Sequence, residues 1–146
     1  MRARKDTLAA VRTRLLIAFG LVGVVLAIAV PASGSLVGFQ SPSGNIGCYM
    51  NGKSARCDIV KHDWVAPPKP PSCELDWGQG VVVDRHGKAE FVCAGDTAIN
   101  EEQVLGYGES ISRGRFRCVS KETKVKCVNE RSDHGFKLSR LRVKLF

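Results

Sequence analysis

The stretch that decides the fold is Cys48-Tyr49-Met50-Asn51-Gly52-Lys53-Ser54-Ala55-Arg56-Cys57. Two short strand-forming runs flank its central turn residues, which is the pattern of a β-hairpin. With a two-residue loop at Gly52-Lys53, Cys48 falls opposite Cys57 in a non-hydrogen-bonded pair. The Cα atoms of such pairs lie about 4.5 Å apart, within the reach of a disulfide. The stretch therefore predicts a hairpin held by a Cys48–Cys57 bond.

The same eight-residue spacing separates Cys118 from Cys127, about a turn at Glu122-Thr123. The equivalent count predicts a second hairpin with a Cys118–Cys127 bond. Elimination then pairs Cys73 with Cys93. One alternative stays open, in which Cys48 and Cys57 cross to Cys118 and Cys127 and staple the two hairpins together.

All six cysteines follow residue 32, and an even number in a small exported domain indicates a disulfide framework. The sequence contains no Cys-x2-Cys pair, so it predicts disulfides rather than a metal site, and it predicts no cofactor. In the chain-entropy model the three disulfides together contribute about 9 kcal/mol to stability. A whole domain has a stability of about 5–15 kcal/mol, so reduction is expected to unfold or nearly unfold this one.

The rest of the chain also has the short strand-like runs, separated by turn residues, that are typical of an all-β domain. We expect a small disulfide-stapled antiparallel sandwich or barrel-like domain built of hairpins. Residues 97–104 could form one helical turn. Trp64–Pro71 should be a stiff extended connection whose Trp64 packs on the domain; the alternative is a recognition motif for an aromatic groove. The predicted strands cover about 36–40, 46–50, 55–60, 80–84, 88–93, 104–107, 113–119, 124–129 and 136–145, the last with a bulge near Ser139.

Residues 1–32 have the layout of a secretory signal: a basic start, an apolar run at 15–30 and a small-residue exit at Pro31-Ala32. Candidate cleavage sites follow Ala29, Ala32 and Gly34, of which Ala32 is preferred because Pro31 would end the apolar helix just before it. We expect a single domain over 33–146, secreted or associated with the cell envelope by the general secretory route. The alternative is an uncleaved anchor that holds the protein in the cytoplasmic membrane through 15–30. A membrane would then be contacted only through this segment.

The formal charge of +8 is unevenly distributed along the 146 residues. Residues 1–32 carry +4, residues 33–109 carry −4, and residues 110–146 carry +8, with eleven basic and three acidic side chains. Export separates the chain from intracellular nucleic acid, and no aromatic ladder interleaves the charges, so we expect no nucleic-acid partner. The basic C-terminal third is the strongest functional signal.

Alternation along a single strand would place Arg113, Arg115 and Arg117 on one face. Lys124 and Lys126 are expected beside them on the partner strand, with Arg140, Arg142 and Lys144 as a second basic row. This set predicts a face that binds an anionic envelope polymer, a lipid headgroup or an acidic protein. The alternative is a solvated face that provides solubility. The sequence does not predict the oligomeric state.

No nucleophile-elbow, calcium-loop or phosphate-loop motif is present, so no catalytic residue is assigned and the protein is not expected to be an enzyme. The alternative hypothesis is a secreted hydrolase or hydrolase inhibitor that uses the loops near Asp76, Asp96 and His134. The two aspartates are more simply explained as turn residues that accept backbone N–H bonds.

Several motifs together resemble a family of small exported proteins of actinobacteria, mycobacteria among them, whose domain has no known function. The resemblance implies an exported, disulfide-bonded β domain and supplies no activity. It covers nearly all of the chain after the signal and rests on Phe39–Cys48, Trp64 with Pro67-Pro68, Cys73 with Asp76-Trp77-Gly78, Cys93–Thr97, Tyr107-Gly108 and His134–Arg140.

Overall fold

The computed structural model describes residues 35–146, and the predicted signal and anchor segments lie outside them. The described chain contains ten strands, whose bounds are β1 Val37–Gln40, β2 Ile46–Met50, β3 Ser54–Ile59, β4 Asp76–Asp84, β5 Glu90–Ala94, β6 Ser110–Arg113, β7 Phe116–Lys121, β8 Lys124–Asn129, β9 Gly135–Leu138 and β10 Val143–Leu145. Residues 35–146 include no helix that could cross a membrane.

The strands form two five-stranded antiparallel sheets, each of them a meander in chain order. The first sheet contains β1 to β5, and the second contains β6 to β10. The all-β prediction is confirmed, and the architecture is the sandwich rather than the barrel-like alternative. The described residues 35–146 belong to one compact unit.

The core lies between the two sheets and is built from alternate residues of their facing strands. Phe39, Val81 and Val83 of the first sheet and Phe116 and Phe136 of the second are fully buried in it. Since alternate residues of a strand point to opposite faces, the intervening residues face outward. The core and all three disulfides lie within the described residues, which therefore contain what an independently folding domain needs.

The two cysteine hairpins occupy equivalent places, across the second and third strands of each meander. The disulfides are Cys48–Cys57, Cys73–Cys93 and Cys118–Cys127, the three pairs expected from the spacing. In the two hairpins Cys48 pairs with Cys57 and Cys118 with Cys127, in the register derived above. The sulfur atoms of Cys57 and Cys127 lie 3.7 Å apart, so the two hairpin disulfides pack on each other in the core.

Three sequence-based strand assignments are wrong. Residues 104–107 form no strand, and only Val104 makes an isolated parallel bridge, to Gln40. The chain turns at Gly114-Arg115, so 113–119 is divided between β6 and β7. The predicted last strand, 136–145, is a hairpin in which Val143 pairs with Leu138. The Ser139 hydroxyl stabilises its turn, because it donates to the carbonyl of Arg142 and accepts from its N–H.

The outer face of the first sheet is partly covered by the connection that leads to the second sheet. The side-chain amide of Asn100 in this connection donates to the carbonyls of Phe39 and Cys48. A Cβ atom at Gly47 would lie 2.5 Å from Cα of Ile99, so only glycine allows this close approach. Residues 97–104 therefore lie against the sheet as an extended segment, and the predicted helical turn is absent from them.

The proline-rich connection packs as predicted. Trp64 is partly buried against the core, and its indole N–H donates to the carbonyl of Ser139 at 2.9 Å. The Trp77 indole donates to the carbonyl of Pro67 at 2.8 Å. The segment thus closes one side of the sandwich and joins the two sheets.

Candidate anion-binding face

The outer face of the second sheet carries three lysines that lie directly opposite one another on adjacent strands. Lys126 of β8 pairs with Lys137 of β9, and Lys137 pairs with Lys144 of β10. Their neighbours Val125, Cys127, Phe136 and Leu138 are buried in the core, so the lysines face outward. Like charges directly opposite on a sheet destabilise it. The repulsion within the row is therefore unfavourable for folding.

No carboxylate neutralises this row within residues 35–146. The ion pairs of the described chain join Arg56 to Asp58 and Asp96, and Arg140 to Asp63. The ammonium groups of Lys126 and Lys137 instead lie 5.7 and 5.9 Å from the centre of the Phe146 ring. Cation–π attraction positions these two lysines without cancelling their charge.

A depression of about 410 Å³ opens at one end of the row. Four cationic side chains and no carboxylate line it: Lys124, Lys137, Arg142 and Lys144. Thr123 and Ser139 add polar groups to the lining. Lys121 pairs with Lys124 across the hairpin, so like charges are opposed there as well. We name the whole surface the basic face; it consists of Arg117, Lys121, Lys124, Lys126, Lys137, Arg142 and Lys144.

The first sheet shows that this architecture does not require unpaired cations. Arg56 occupies the place in the first cysteine hairpin that Lys126 occupies in the second, one residue before the second cysteine. Arg56 donates to both oxygens of Asp58, at 3.0 and 2.8 Å, and to Asp96 at 2.7 Å. The position equivalent to Asp58 is Val128, which offers no charge. In the first sheet two aspartates therefore neutralise Arg56, whereas in the second sheet the equivalent lysine, Lys126, lies beside further lysines.

The electrostatics of the Arg56 cluster are those of a closed ion-pair network. Burial lowers the pKa of the Arg56 guanidinium, but its hydrogen bonds to Asp58 and Asp96 and their charges outweigh burial and raise the pKa. The hydrogen bond from Arg56, together with its charge, holds the pKa of Asp96 below its ordinary value. Asp58 also accepts the N–H of Ala98. The cluster holds the connection between the sheets in place. No local sequence motif predicts it, because Arg56 and Asp96 are 40 residues apart.

The structure brings five of the predicted binding residues together on the basic face or in its depression. They are Arg117, Lys124, Lys126, Arg142 and Lys144. It adds Lys121 and Lys137, which sequence reasoning did not select. The signal for Lys137 was its alternation with Phe136 and Leu138, but only the pairing of β8 with β9 shows what it opposes.

The expectation that Arg113, Arg115 and Arg117 share one strand face is wrong. The chain reverses at Gly114, whose φ of 60° suits the first position of a two-residue hairpin turn. Arg113 consequently pairs with the inward-facing Phe116, and its guanidinium donates to the carbonyl and hydroxyl of Ser35. Arg115 lies in the turn, at the end of β7 away from Lys121.

Arg140 does not form a row with Arg142 and Lys144 on one strand, because residues 139–142 are a turn. Its guanidinium lies 3.3 Å from the carboxylate of Asp63, and its carbonyl accepts the N–H of Asp63. Both side chains are more than half exposed. This ion pair connects the β9–β10 turn to the chain that follows β3.

Asp76 and Asp96 line a depression of only about 10 Å³, which is room for about one water molecule. His134 is not among its lining residues, and within the described chain the structure shows no hydrogen bond between His134 and either aspartate. Asp96 is held by Arg56, and Asp76 lies on β4 rather than in a turn. Potential metal ligands cluster at Cys48, Cys57 and Cys127, all of them disulfide sulfurs.

Fold and surface together define a small disulfide-stapled β-sandwich with one strongly basic sheet face. Residues 20–146 match the model of a family of unknown function, DUF6636, and the chain belongs to that family. No curated protein and no solved structure matches it. The family carries no assigned activity, so the functional argument rests on the surface of this chain.

Proposed function

We propose that this protein is an exported, non-catalytic binding domain of the cell envelope whose basic face contacts an anionic ligand. The observation that carries the proposal is the row Lys126–Lys137–Lys144, three like charges in direct cross-strand register with no carboxylate partner among residues 35–146. An anion placed over the row would relieve their repulsion. The row therefore destabilises the free protein and favours the protein with an anion bound.

Two observations support export. The N-terminal sequence has the layout of a secretory signal, and the domain contains three disulfides, which persist in oxidising compartments. The resemblance to exported actinobacterial proteins agrees with them. Sequencing the N-terminus of the protein recovered from an exporting host tests this part: a mature start at Ser33 supports cleavage after Ala32, and an intact Met1 in a cytoplasmic fraction contradicts it.

The binding test replaces the three lysines of the row by glutamine. The variant Lys126→Gln/Lys137→Gln/Lys144→Gln should bind long-chain polyphosphate about tenfold more weakly at low salt, if each exposed contact is worth about 0.5 kcal/mol. Removal of the repulsion should leave the melting temperature equal or higher. Binding is measured by fluorescence anisotropy of labelled polyphosphate, and stability by thermal unfolding.

The matched control is Lys53→Gln/Lys69→Gln/Lys88→Gln, which removes three exposed lysines that precede the second sheet and changes the net charge equally. If binding depended only on total charge, both variants would lose the same affinity. That result, or unchanged binding by the first variant, would refute the assignment of the face.

A further inference from the structure

One end of the sandwich combines exposed apolar side chains with a concentration of lysine and arginine side chains. Leu141, at the tip of the β9–β10 turn, is 75% exposed, and Val60, directly after β3, is 58% exposed. Tyr107 is 47% exposed in the loop before β6. We name this region the basic end; it comprises the turns at 41–45, 60–61, 121–124 and 139–142 with Tyr107.

These turns lie next to one another. Arg140 lines a depression of about 440 Å³ with Val60 and Lys61, and a second depression with Tyr107 and Lys121. The second depression shares Thr123 and Lys124 with the one that contains Leu141. Three adjacent depressions therefore run from Val60 to Leu141.

Seven lysine or arginine side chains and one acidic side chain, Glu122, line the three depressions; of the seven, Arg140 is paired with Asp63, which leaves six cations for an anionic surface. Apolar side chains that project from turns, surrounded by cations, match the interface of a bilayer with anionic headgroups. A soluble polyanion would use the cations but would gain nothing from Leu141. An acidic peptide lying in the depressions would likewise use the cations, whereas Leu141 projects outward from a turn that the Ser139 hydroxyl holds in place, as an inserting side chain does.

We propose that the basic end docks on an anionic lipid membrane, with Leu141 and Val60 entering the headgroup layer and the surrounding lysines and arginines contacting lipid phosphates. This inference rests on the proposed function and names the source of the anion as a lipid surface. The basic face continues from this end through Lys124 and Arg142, so its row of lysines lies beside the docked surface.

The test measures sedimentation of residues 35–146 with vesicles of phosphatidylcholine containing 30% phosphatidylglycerol, a composition that follows from the anionic partner proposed here. The wild-type domain should sediment with these vesicles and not with pure phosphatidylcholine. The variant Val60→Ser/Leu141→Ser should bind the anionic vesicles about tenfold more weakly, because it loses two insertable apolar side chains. Its affinity for polyphosphate should not change.

The control is Leu36→Ser, which removes a leucine that is 57% exposed directly before β1, at the opposite end of that strand from the turn at 41–45; the single variant Leu141→Ser is its matched counterpart. It should bind both ligands as the wild type does. Thermal unfolding of every variant verifies that the fold is retained.

The remaining outcomes distinguish failure of membrane docking from failure of the proposed function. If the wild type binds polyphosphate but not the anionic vesicles, or if Val60→Ser/Leu141→Ser binds vesicles like the wild type, membrane docking is refuted and the proposed function stands. Equal loss of both ligands in that variant also refutes docking, since the apolar residues would then act on the cationic site itself. If neither polyphosphate nor vesicles bind the wild type, the proposed function fails together with the inference.

Discussion

At the scale of single residues, Ser120 is the least favourable position in the described core. It is fully buried between the sheets, and its hydroxyl is the one buried side-chain polar atom of residues 35–146 without a hydrogen-bond partner. A buried unpaired hydroxyl costs about 1–3 kcal/mol of desolvation. Met50 fills the equivalent place in the first cysteine hairpin, two residues after the first cysteine.

We predict that Ser120→Ala raises the free energy of unfolding by about 1 kcal/mol, because it removes the unpaired oxygen and leaves the Cβ atom in place. Ser139→Ala is the comparison: that hydroxyl bonds both backbone groups of Arg142, and its loss should destabilise the domain by a similar amount. Urea unfolding of both variants measures the difference. A destabilised Ser120→Ala would mean that the hydroxyl has a partner.

Which single residues the sequence could reveal depended on how local their interactions are. Cys48 and Cys57 were paired from spacing alone, because nine residues and one turn determine their register. Lys137 was not selected, because its importance comes from facing Lys126 on another strand. The Arg56–Asp96 pair joins residues 40 positions apart and has no signature in either segment.

At the scale of elements, the two cysteine hairpins and the third disulfide have different surroundings. The four hairpin cysteines are at most 1% exposed, with the sulfurs of Cys57 and Cys127 in contact. Cys93, in contrast, lies on the exposed edge strand β5, and its partner Cys73 is in the adjoining connection. A reductant can therefore reach the third disulfide without opening the core.

We predict that dithiothreitol under native conditions reduces Cys73–Cys93 first. The hairpin disulfides should react at least about tenfold more slowly, because their core must open, and each 1.4 kcal/mol of opening free energy costs a factor of about ten. Timed alkylation followed by mass spectrometry shows the order. Labelling of Cys118 and Cys127 before Cys73 and Cys93 would contradict the packing described here.

Elements were predictable where turn signals were strong. Asn51–Ser54 and Glu122-Thr123 placed both cysteine hairpins correctly, since a hairpin register is fixed by its own loop. The turns at Gly114-Arg115 and at 139–142 have weaker signals, so a divided β6–β7 and a divided β9–β10 were each read as one strand. Because the chain reverses at these two turns, Arg113 and Arg115 do not lie on the predicted face, and Arg140 does not lie on one strand with Lys144.

At the scale of the whole molecule, the charge asymmetry follows the two sheets. Residues 33–109, which include the first sheet, carry −4, and residues 110–146, which form the second sheet, carry +8. The connection between the sheets covers part of the first outer face, where Asp58 and Asp96 neutralise Arg56. On the second sheet, in contrast, no carboxylate of residues 35–146 pairs with the row Lys126–Lys137–Lys144. The charge asymmetry can be read from the sequence, but only the structure shows that the two oppositely charged segments contain different sheets of the sandwich.

The most direct test of the basic face is a nuclear magnetic resonance titration of ¹⁵N-labelled residues 35–146 with tripolyphosphate. We predict that amide shifts concentrate on β7 to β10, strongest at Lys124, Lys126, Lys137 and Lys144, and that β2 to β4 stay unperturbed at the same ligand concentration. Shifts centred on the first sheet, or spread evenly over both sheets, would contradict the claim that the second sheet is the binding surface.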